Sequence, residues 1–415
     1  MKITRRNSGV SPFRHILMVT GLFGGVQAVN VVASLIRNKC AALFLGPDGV
    51  GALSLLNTLV NMLVQLCGMG VSLSGVRRLS LAFDEGNVQR IRSVWSVRLL
   101  TISGGSLGLV VCGLMGHWLL SPAVLLMIVC SGELAILKAA RRLRWLALSQ
   151  IVSVLSSLLL TVPLYIYYGA SSIVAVVVLT ALAALLPVLF CSLRVCPLQF
   201  PKGNTLFPLS EMRSMFRLGM AFTLAAVIGA ASEYGIRVWL QGEASSQVVG
   251  WFSSAQLLTA GYMAILFSAL EQDYMPRLSA TSDHRAASGI VRRQLLVLTG
   301  LTIPLVLIVM VLLPWLVPLL LSSSFLPIVP LARWWAGAMI LKSATLPVAY
   351  LTLARGRSLD YLLLEAVYYV FFVISVIVGW HYSGLSGVGV GIFIAHVFDL
   401  LLIHIYARNQ FDFRL

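Results

Sequence analysis

The basic residues of this chain alternate with its apolar segments. Of 30 lysines and arginines, 25 are assigned to every second gap between apolar segments and none to the intervening gaps. The other five are Arg37, Lys39, Arg237, Arg333 and Lys342, which lie within apolar segments or near their ends. Such a bias sets the orientation of polytopic membrane proteins. It predicts an all-α fold that crosses a bilayer repeatedly, because a backbone in hydrocarbon must satisfy its own polar groups and segments of about 20 residues suit helices.

Composition closes off the main competing class. The chain has 415 residues, 59% of them hydrophobic and only 11% charged, which no soluble domain of this length matches. A net charge of +16 would ordinarily suggest nucleic acid. Here the charge sits in short loops, so topology and an anionic leaflet explain it, and no nucleic-acid partner is expected. The six cysteines show no CxxC pair and no metal-like spacing with the six histidines. They read as apolar helix fillers, and neither a metal nor a cofactor is expected. Lys2, Arg5, Arg6 and Arg14 precede a first apolar segment too long for the core of a signal peptide.

Twelve segments fit a membrane span: 16–45, 50–72, 95–117, 122–139, 145–168, 172–193, 215–240, 249–270, 294–319, 328–353, 361–380 and 385–406. An even count puts both termini on one side, and the basic gaps make that side the cytoplasm. Arg77, Arg78, Arg90 and Arg92 fill one such gap, and Lys138, Arg141, Arg142 and Arg144 the next. The opposite gaps are short and neutral, with Trp118, Trp239, Trp251, Trp315 and Trp380 nearby as an interfacial belt.

The longest basic gap divides the chain into 1–197 and 198–415, two lobes of six helices. An internal repeat supports the division. Gly51 and Gly250 are 199 residues apart, as are Arg78 and Arg277, each arginine followed by Leu-Ser. Six helices per lobe is an even number, so the repeat is parallel, about an axis along the membrane normal.

Candidate functional residues stand out as polar groups in apolar segments. Gln27, Asn30, Ser34 and Arg37 form one stripe on segment 1, and Ser54, Asn57, Asn61 and Gln65 form another on segment 2. The stripes have to face each other or a wet cavity; interhelical hydrogen bonding is the plainer reading, but two adjacent stripes plus an arginine exceed what packing needs and favour the cavity. Arg37 and Glu233 each precede a loop glycine by nine residues, Gly46 and Gly242, and are therefore equivalent in the repeat. Each lies roughly 13 Å below the helix end, deep enough to need a partner or water. Glu233 and Arg237 are spaced for an intrahelical ion pair. Lys342 sits mid-segment, beyond reach of either interface, whereas Arg333 can snorkel. Glu133, Glu233, Glu365 and Asp399 lie within spans, with Asp273 at a span end. Glu233, Asp273, Glu365 and Asp399 are kept as candidates for coupling to a proton or cation. No GxSxG, P-loop or HExxH is present, and no enzyme is expected.

The run Leu320-Leu-Ser-Ser-Ser-Phe325, then Leu331-Ala-Arg-Trp-Trp335, Leu341-Lys342, Pro347-Val-Ala-Tyr350 and Ala354-Arg355 resembles the Wzx-type lipid-linked oligosaccharide flippases. Asn38-Lys39, Ala41 to Pro47, Gly49, Gly51 and Glu365 agree with that likeness, which spans the whole chain. It implies the two-lobed fold of the multidrug/oligosaccharidyl-lipid/polysaccharide exporter superfamily in a bacterial inner membrane. It also implies an undecaprenyl-diphosphate oligosaccharide as substrate, with a polysaccharide polymerase and a chain-length regulator as further partners. The likeness points to Lys39 and Lys342 as functional cations, while the polar stripe points to Arg37. Gly337-Ala-Met stands where the resemblance would place Gly-Asp-Val. The expected mechanism is rocking of two lobes about a cavity between segments 1, 2, 7 and 8. Arg37, Lys342 and Arg237 would balance the diphosphate, and Asn57 and Asn61 would solvate sugar hydroxyls. A multidrug or cation antiporter of the same fold is the alternative.

Overall fold

The computed structural model describes residues 12–199, 209–281 and 283–411. Among these there is no strand. The α-helices run α1 (Pro12–Phe44), α2 (Gly46–Cys67), α3 (Val71–Glu85), α4 (Asn87–Leu114), α5 (Ser121–Ala139), α6 (Leu143–Tyr168) and α7 (Ile173–Val195). They continue with α8 (Leu209–Glu243), α9 (Ser246–Gln256), α10 (Tyr262–Ala280), α11 (His284–Leu320), α12 (Val329–Ala354) and α13 (Ser358–Phe411).

Every predicted segment falls on helix. Segment 2 runs past a left-handed break at Met69 and Gly70 into α3. Segment 8 is α9 and α10, joined by a wide π turn, Leu257–Gly261. Segments 11 and 12 are the two arms of α13, which breaks at Ser383 and Gly384. Eight stretches are long and apolar enough to cross a bilayer. Two of these, Leu143–Val195 and Leu359–Phe411, hold 53 residues each. That is roughly 80 Å of helix, too long for one crossing.

The lipid-facing surface explains why so many large apolar residues are exposed. On α11, Leu301, Leu305, Ile308, Leu312, Trp315 and Leu319 are all exposed and follow one another at three- and four-residue steps. Such a stripe on a helix edge has hydrocarbon as its solvent. With the expected lobes taken as α1 to α7 and α8 to α13, each holds a large buried cluster, and a further one joins Met215 of α8 to Val71, Val94 and Ile136 of the first lobe. Leu59, Leu63, Leu120 and Ile128 sit in the large cluster of the first lobe. Phe252, Phe325, Trp335 and Phe372 sit in that of the second.

The repeat is visible in the backbone. Gly169, between α6 and α7, has φ 52° and ψ −134°. Gly384, between the arms of α13, has φ 55° and ψ −134°. The last hairpin of each lobe thus turns through the same conformation, one that a side chain strongly disfavours.

Helix α2 of one lobe packs on α8 and α9 of the other. A Cβ on Gly51 would collide with the Ser246 carbonyl, and one on Gly250 with the Pro47 carbonyl. One turn further, Ser54 Oγ donates to Ser253 Oγ at 2.5 Å, across a separation of 199 residues. Equivalent residues touch each other only beside a two-fold axis, so the 199-residue offset is a geometric relation.

Prolines within helices leave carbonyls without an N–H partner, and neighbouring side chains fill the vacancy. Pro314 frees the Met310 carbonyl, and Arg333 Nε donates to it at 3.2 Å. Pro187 frees the Ala183 carbonyl, and Ser156 Oγ reaches it at 3.4 Å. Arg333 therefore caps a broken helix as well as lying at an exposed position.

Among the described residues, one of the 25 cations assigned to gaps is buried instead. Arg98 lies inside α4, its side chain 7% exposed, and pairs with Glu133 of α5 at 2.8 Å. Its second nitrogen bonds Glu133 at 3.2 Å and the Cys196 carbonyl at 3.1 Å. Ser192 Oγ donates to the same carboxylate at 2.5 Å. The pair ties α4, α5 and the end of α7 together in the interior of the first lobe.

Candidate functional site

Two cavities adjoin at Asn57. The larger, about 540 Å³, lies between the lobes. Asn38, Ser54, Asn57 and Thr58 line it from the first lobe, and Glu233, Arg237, Ser253 and Gln256 from the second. The π turn contributes Leu257, Ala260 and Gly261 to its wall. Single π turns often mark functional positions within helices. Toward the end that carries the short neutral loops, the backbones at Gly51 and Gly250 meet beside the cavity.

The smaller cavity, about 240 Å³, lies inside the first lobe among α1, α2, α5, α6 and α7. Arg37, Asn57, Asn61, Ser153, Ser157 and Thr180 supply its polar groups, and no carboxylate lines it. Arg37 Nη1 donates to Ser157 Oγ at 3.3 Å. The structure thus brings Arg37 of the α1 stripe together with Asn57 and Asn61 of the α2 stripe. The rest of the α1 stripe pairs locally. Asn30 Nδ2 donates to Gln27 Oε1 at 3.0 Å, and Asn38 Nδ2 to Ser34 Oγ at 3.2 Å.

Arg237 is committed elsewhere. Its side chain is 5% exposed, whereas that of Glu233 is 42% exposed and faces the central cavity. Nε lies 3.2 Å from both Ser54 Oγ and Ser253 Oγ. Nη1 bonds the Glu233 carbonyl at 3.0 Å and its carboxylate at 3.5 Å, and Nη2 bonds Gln256 Oε1. Gln256 Nε2 in turn donates to Glu233 at 3.1 Å. The guanidinium also lies over the Phe252 ring, 5.4 Å from its centroid. A simple neutralisation of Glu233 is therefore too small a description of Arg237.

The structure gives Lys39 and Lys342 local partners that their sequence positions do not reveal. Lys39 Nζ donates to the Pro318 carbonyl at 2.9 Å. Pro318 lies in the last turn of α11, where carbonyls lack helical partners, so Lys39 caps that helix with a favourable charge. Lys342 Nζ meets Asp399 Oδ2 at 3.3 Å, the two side chains 25% and 6% exposed. It also lies 5.1 Å from the Tyr368 ring centroid. Lys342 and Asp399 are one unit inside the second lobe, remote from the first-lobe chamber. Glu365 lies in the same neighbourhood, hydrogen-bonded to Tyr361. Asp273 lies on α10, and its side chain is outside the described residues.

Sequence reasoning missed the Arg98–Glu133 pair. Both charges fall within consecutive predicted segments, toward the basic side of each, which places them at similar depth without pairing them.

A family profile described as "Polysaccharide biosynthesis protein" matches residues 41–330. The chain belongs to the polysaccharide biosynthesis protein family. No curated protein matches it. Among solved structures, one in an inward-facing conformation of a multidrug resistance MATE family transporter of the MOP superfamily is similar at TM-score 0.75 and 16% identity. That alignment covers 93% of this chain and 94% of the other. An outward-facing structure of such a transporter gives TM-score 0.68 at 14% identity, covering 98% and 99%. A point mutant of the Vibrio cholerae MATE transporter VcmN gives 0.63 at 14%, covering 95% and 98%. At such identities the likeness concerns the fold. This member of the polysaccharide biosynthesis family is thus a multi-pass membrane protein with a transporter fold.

Proposed function

We propose that this protein is a flippase for undecaprenyl-diphosphate-linked oligosaccharide, working by alternating access in a bacterial inner membrane. Its lobes, 1–197 and 198–415, rock about the central cavity, both termini are cytoplasmic, and the prenyl tail stays in lipid. The oligosaccharide then serves surface polysaccharide synthesis, with a polymerase and a chain-length regulator downstream.

One observation carries this reading. Arg37 is a cation deep in the bilayer whose hydrogen bond in the structure goes to a neutral hydroxyl, and it faces a chamber lined by amides and hydroxyls. An arginine at that depth is costly without an anion, and its planar fork matches phosphate oxygens. Asn57 and Asn61 offer amides to sugar hydroxyls beside it. Lys342 and Arg237, by contrast, already have carboxylate partners. The diphosphate is therefore assigned to Arg37, and Lys39 to the closing of α11. The coupling acid is sought among Glu233, Asp273, Glu365 and Asp399, of which Glu233 faces the cavity.

The test is flipping of labelled lipid-linked oligosaccharide in reconstituted vesicles. Arg37→Ala should lose on the order of 10²-fold in rate, the scale of a lost charge-assisted contact. Lys39→Ala should retain most activity. Equal activity of Arg37→Ala and the parent would remove the assignment.

A second reading rests on Glu233, whose half-exposed carboxylate in the central cavity suits a cationic drug. Loss of drug resistance on deletion, with surface polysaccharide intact, would favour it over the flippase.

A further inference from the structure

We infer that Arg237 is a latch between the lobes, holding the neutral end of the protein shut, and does not act as a ligand for the transported anion. The inference rests on the alternating-access reading above and adds the residue that sets its conformational balance.

The argument begins with position. Gly46 and Gly242 are equivalent loop glycines 196 residues apart, and at that offset Arg237 corresponds to Ala41. The first lobe therefore has a methyl group where the second has a guanidinium. At the two-fold axis itself, Ser54 and Ser253 meet at 2.5 Å, and a bond between equivalent hydroxyls is symmetric in kind. Arg237 breaks that symmetry. From the second lobe, its Nε reaches 3.2 Å to Ser54 of the first. Glu233 and Gln256 hold the far side of the guanidinium in plane, so Nε is aimed at the serine pair before the lobes meet.

Its depth decides what it can do. Gly51 and Gly250, which make the backbone contact, lie one turn toward the neutral end, and the polar lining of the cavity, Ser54, Asn57, Ser253 and Gln256, lies on the other side. No route from the cavity to the neutral end passes between α2 and α9 unless these contacts part. The Ser54 hydrogen bonds must then break, and Arg237 keeps Glu233, Gln256 and Ser253, all on its own lobe. The open state thus leaves no buried guanidinium without a partner. A group that loses one bond and keeps the rest makes a reversible fastening, whereas a substrate ligand would need free donors, and most of those of Arg237 are occupied.

The experiment reads conformation apart from transport. In a background with the six native cysteines replaced and transport retained, Asn57→Cys serves as a reporter in the cavity wall. A membrane-impermeant maleimide is applied from the neutral side in proteoliposomes. Arg237→Ala should raise labelling about tenfold, the effect of removing one charge-assisted bond from a two-state balance. Arg237→Lys, which keeps the charge but not the planar fork, should fall between. Glu85→Gln, exposed and far from the axis, should leave labelling unchanged. As a second measurement, oxidation of a Ser54→Cys/Ser253→Cys pair should lock the neutral end and abolish labelling at Asn57→Cys. Reduction should restore it. Unchanged labelling in Arg237→Ala, or full labelling in the oxidised pair, would overturn the latch. If labelling responds as expected while protein that retains Asn57 leaves labelled oligosaccharide in its leaflet, the latch stands and the proposed substrate falls.

Discussion

Two intramembrane ion pairs, alike in sequence, play different parts. Arg98 and Glu133 are 7% and 4% exposed, with Ser192 and the Cys196 carbonyl completing their hydrogen bonds. Removing one partner strands a buried charge, at about 3–5 kcal/mol. Glu133→Ala should cost about that much in denaturation of the detergent-solubilised protein. The double variant Arg98→Ala/Glu133→Ala should lose clearly less than the two single losses added, because their coupling is then removed once. Additive losses would mean the pair is not a unit. The Lys342–Asp399 pair is longer, at 3.3 Å, and its lysine is 25% exposed. It has a cost below that range when broken and more freedom to exchange partners. Neither pairing could be read from the chain, since the partners are 35 and 57 residues apart on different helices. What sequence supplied was each charge and its depth. Arg37 was legible as a candidate because its neighbours on the stripe were polar. Arg98 was not, because a segment start is uncertain by a few residues and Arg98 lay just inside one.

At the scale of elements, hydropathy alone located every long helix, because hydrocarbon demands some twenty apolar residues for each crossing. The interruptions were not legible. The Met69–Gly70 break and the π turn Leu257–Gly261 leave no apolar gap to mark them. The matching turns at Gly169 and Gly384 were visible only as short neutral gaps, although they prove the most regular trace of the repeat. Each glycine holds φ near 50° with ψ −134°. A side chain there costs about 1–3 kcal/mol. Gly169→Ala and Gly384→Ala should therefore destabilise the protein by similar amounts, measured by thermal unfolding, and Gly235→Ala, which has open space around its Cβ position in mid-helix, should not. A large loss for one turn and none for the other would show that the shared conformation has no shared energetic basis.

For the molecule as a whole, the distribution of charge predicts which end faces which compartment. The turn between α5 and α6, with the helix ends that flank it, alone carries Lys138, Arg141, Arg142 and Arg144. Each such residue costs about 2.5–3.5 kcal/mol at the bilayer centre, so the inverted topology would have to drag a prohibitive charge across. The neutral loop between α6 and α7 has no such barrier. Ser171→Cys, exposed in that loop, should react with an impermeant maleimide applied to intact cells, and Arg141→Cys should react only after the membrane is opened. The reverse pattern would invert the proposed direction of transport. With the expected pattern, the Gly51–Gly250 contact lies toward the outer face. On the flippase reading, an anionic head group would meet arginines at the loops before it meets Arg37, so the charges that orient the protein would also gather its substrate. Raising ionic strength should therefore slow loading of the lipid diphosphate at exposed loop arginines, which salt screens, more than the subsequent step at Arg37, which lies within the bilayer.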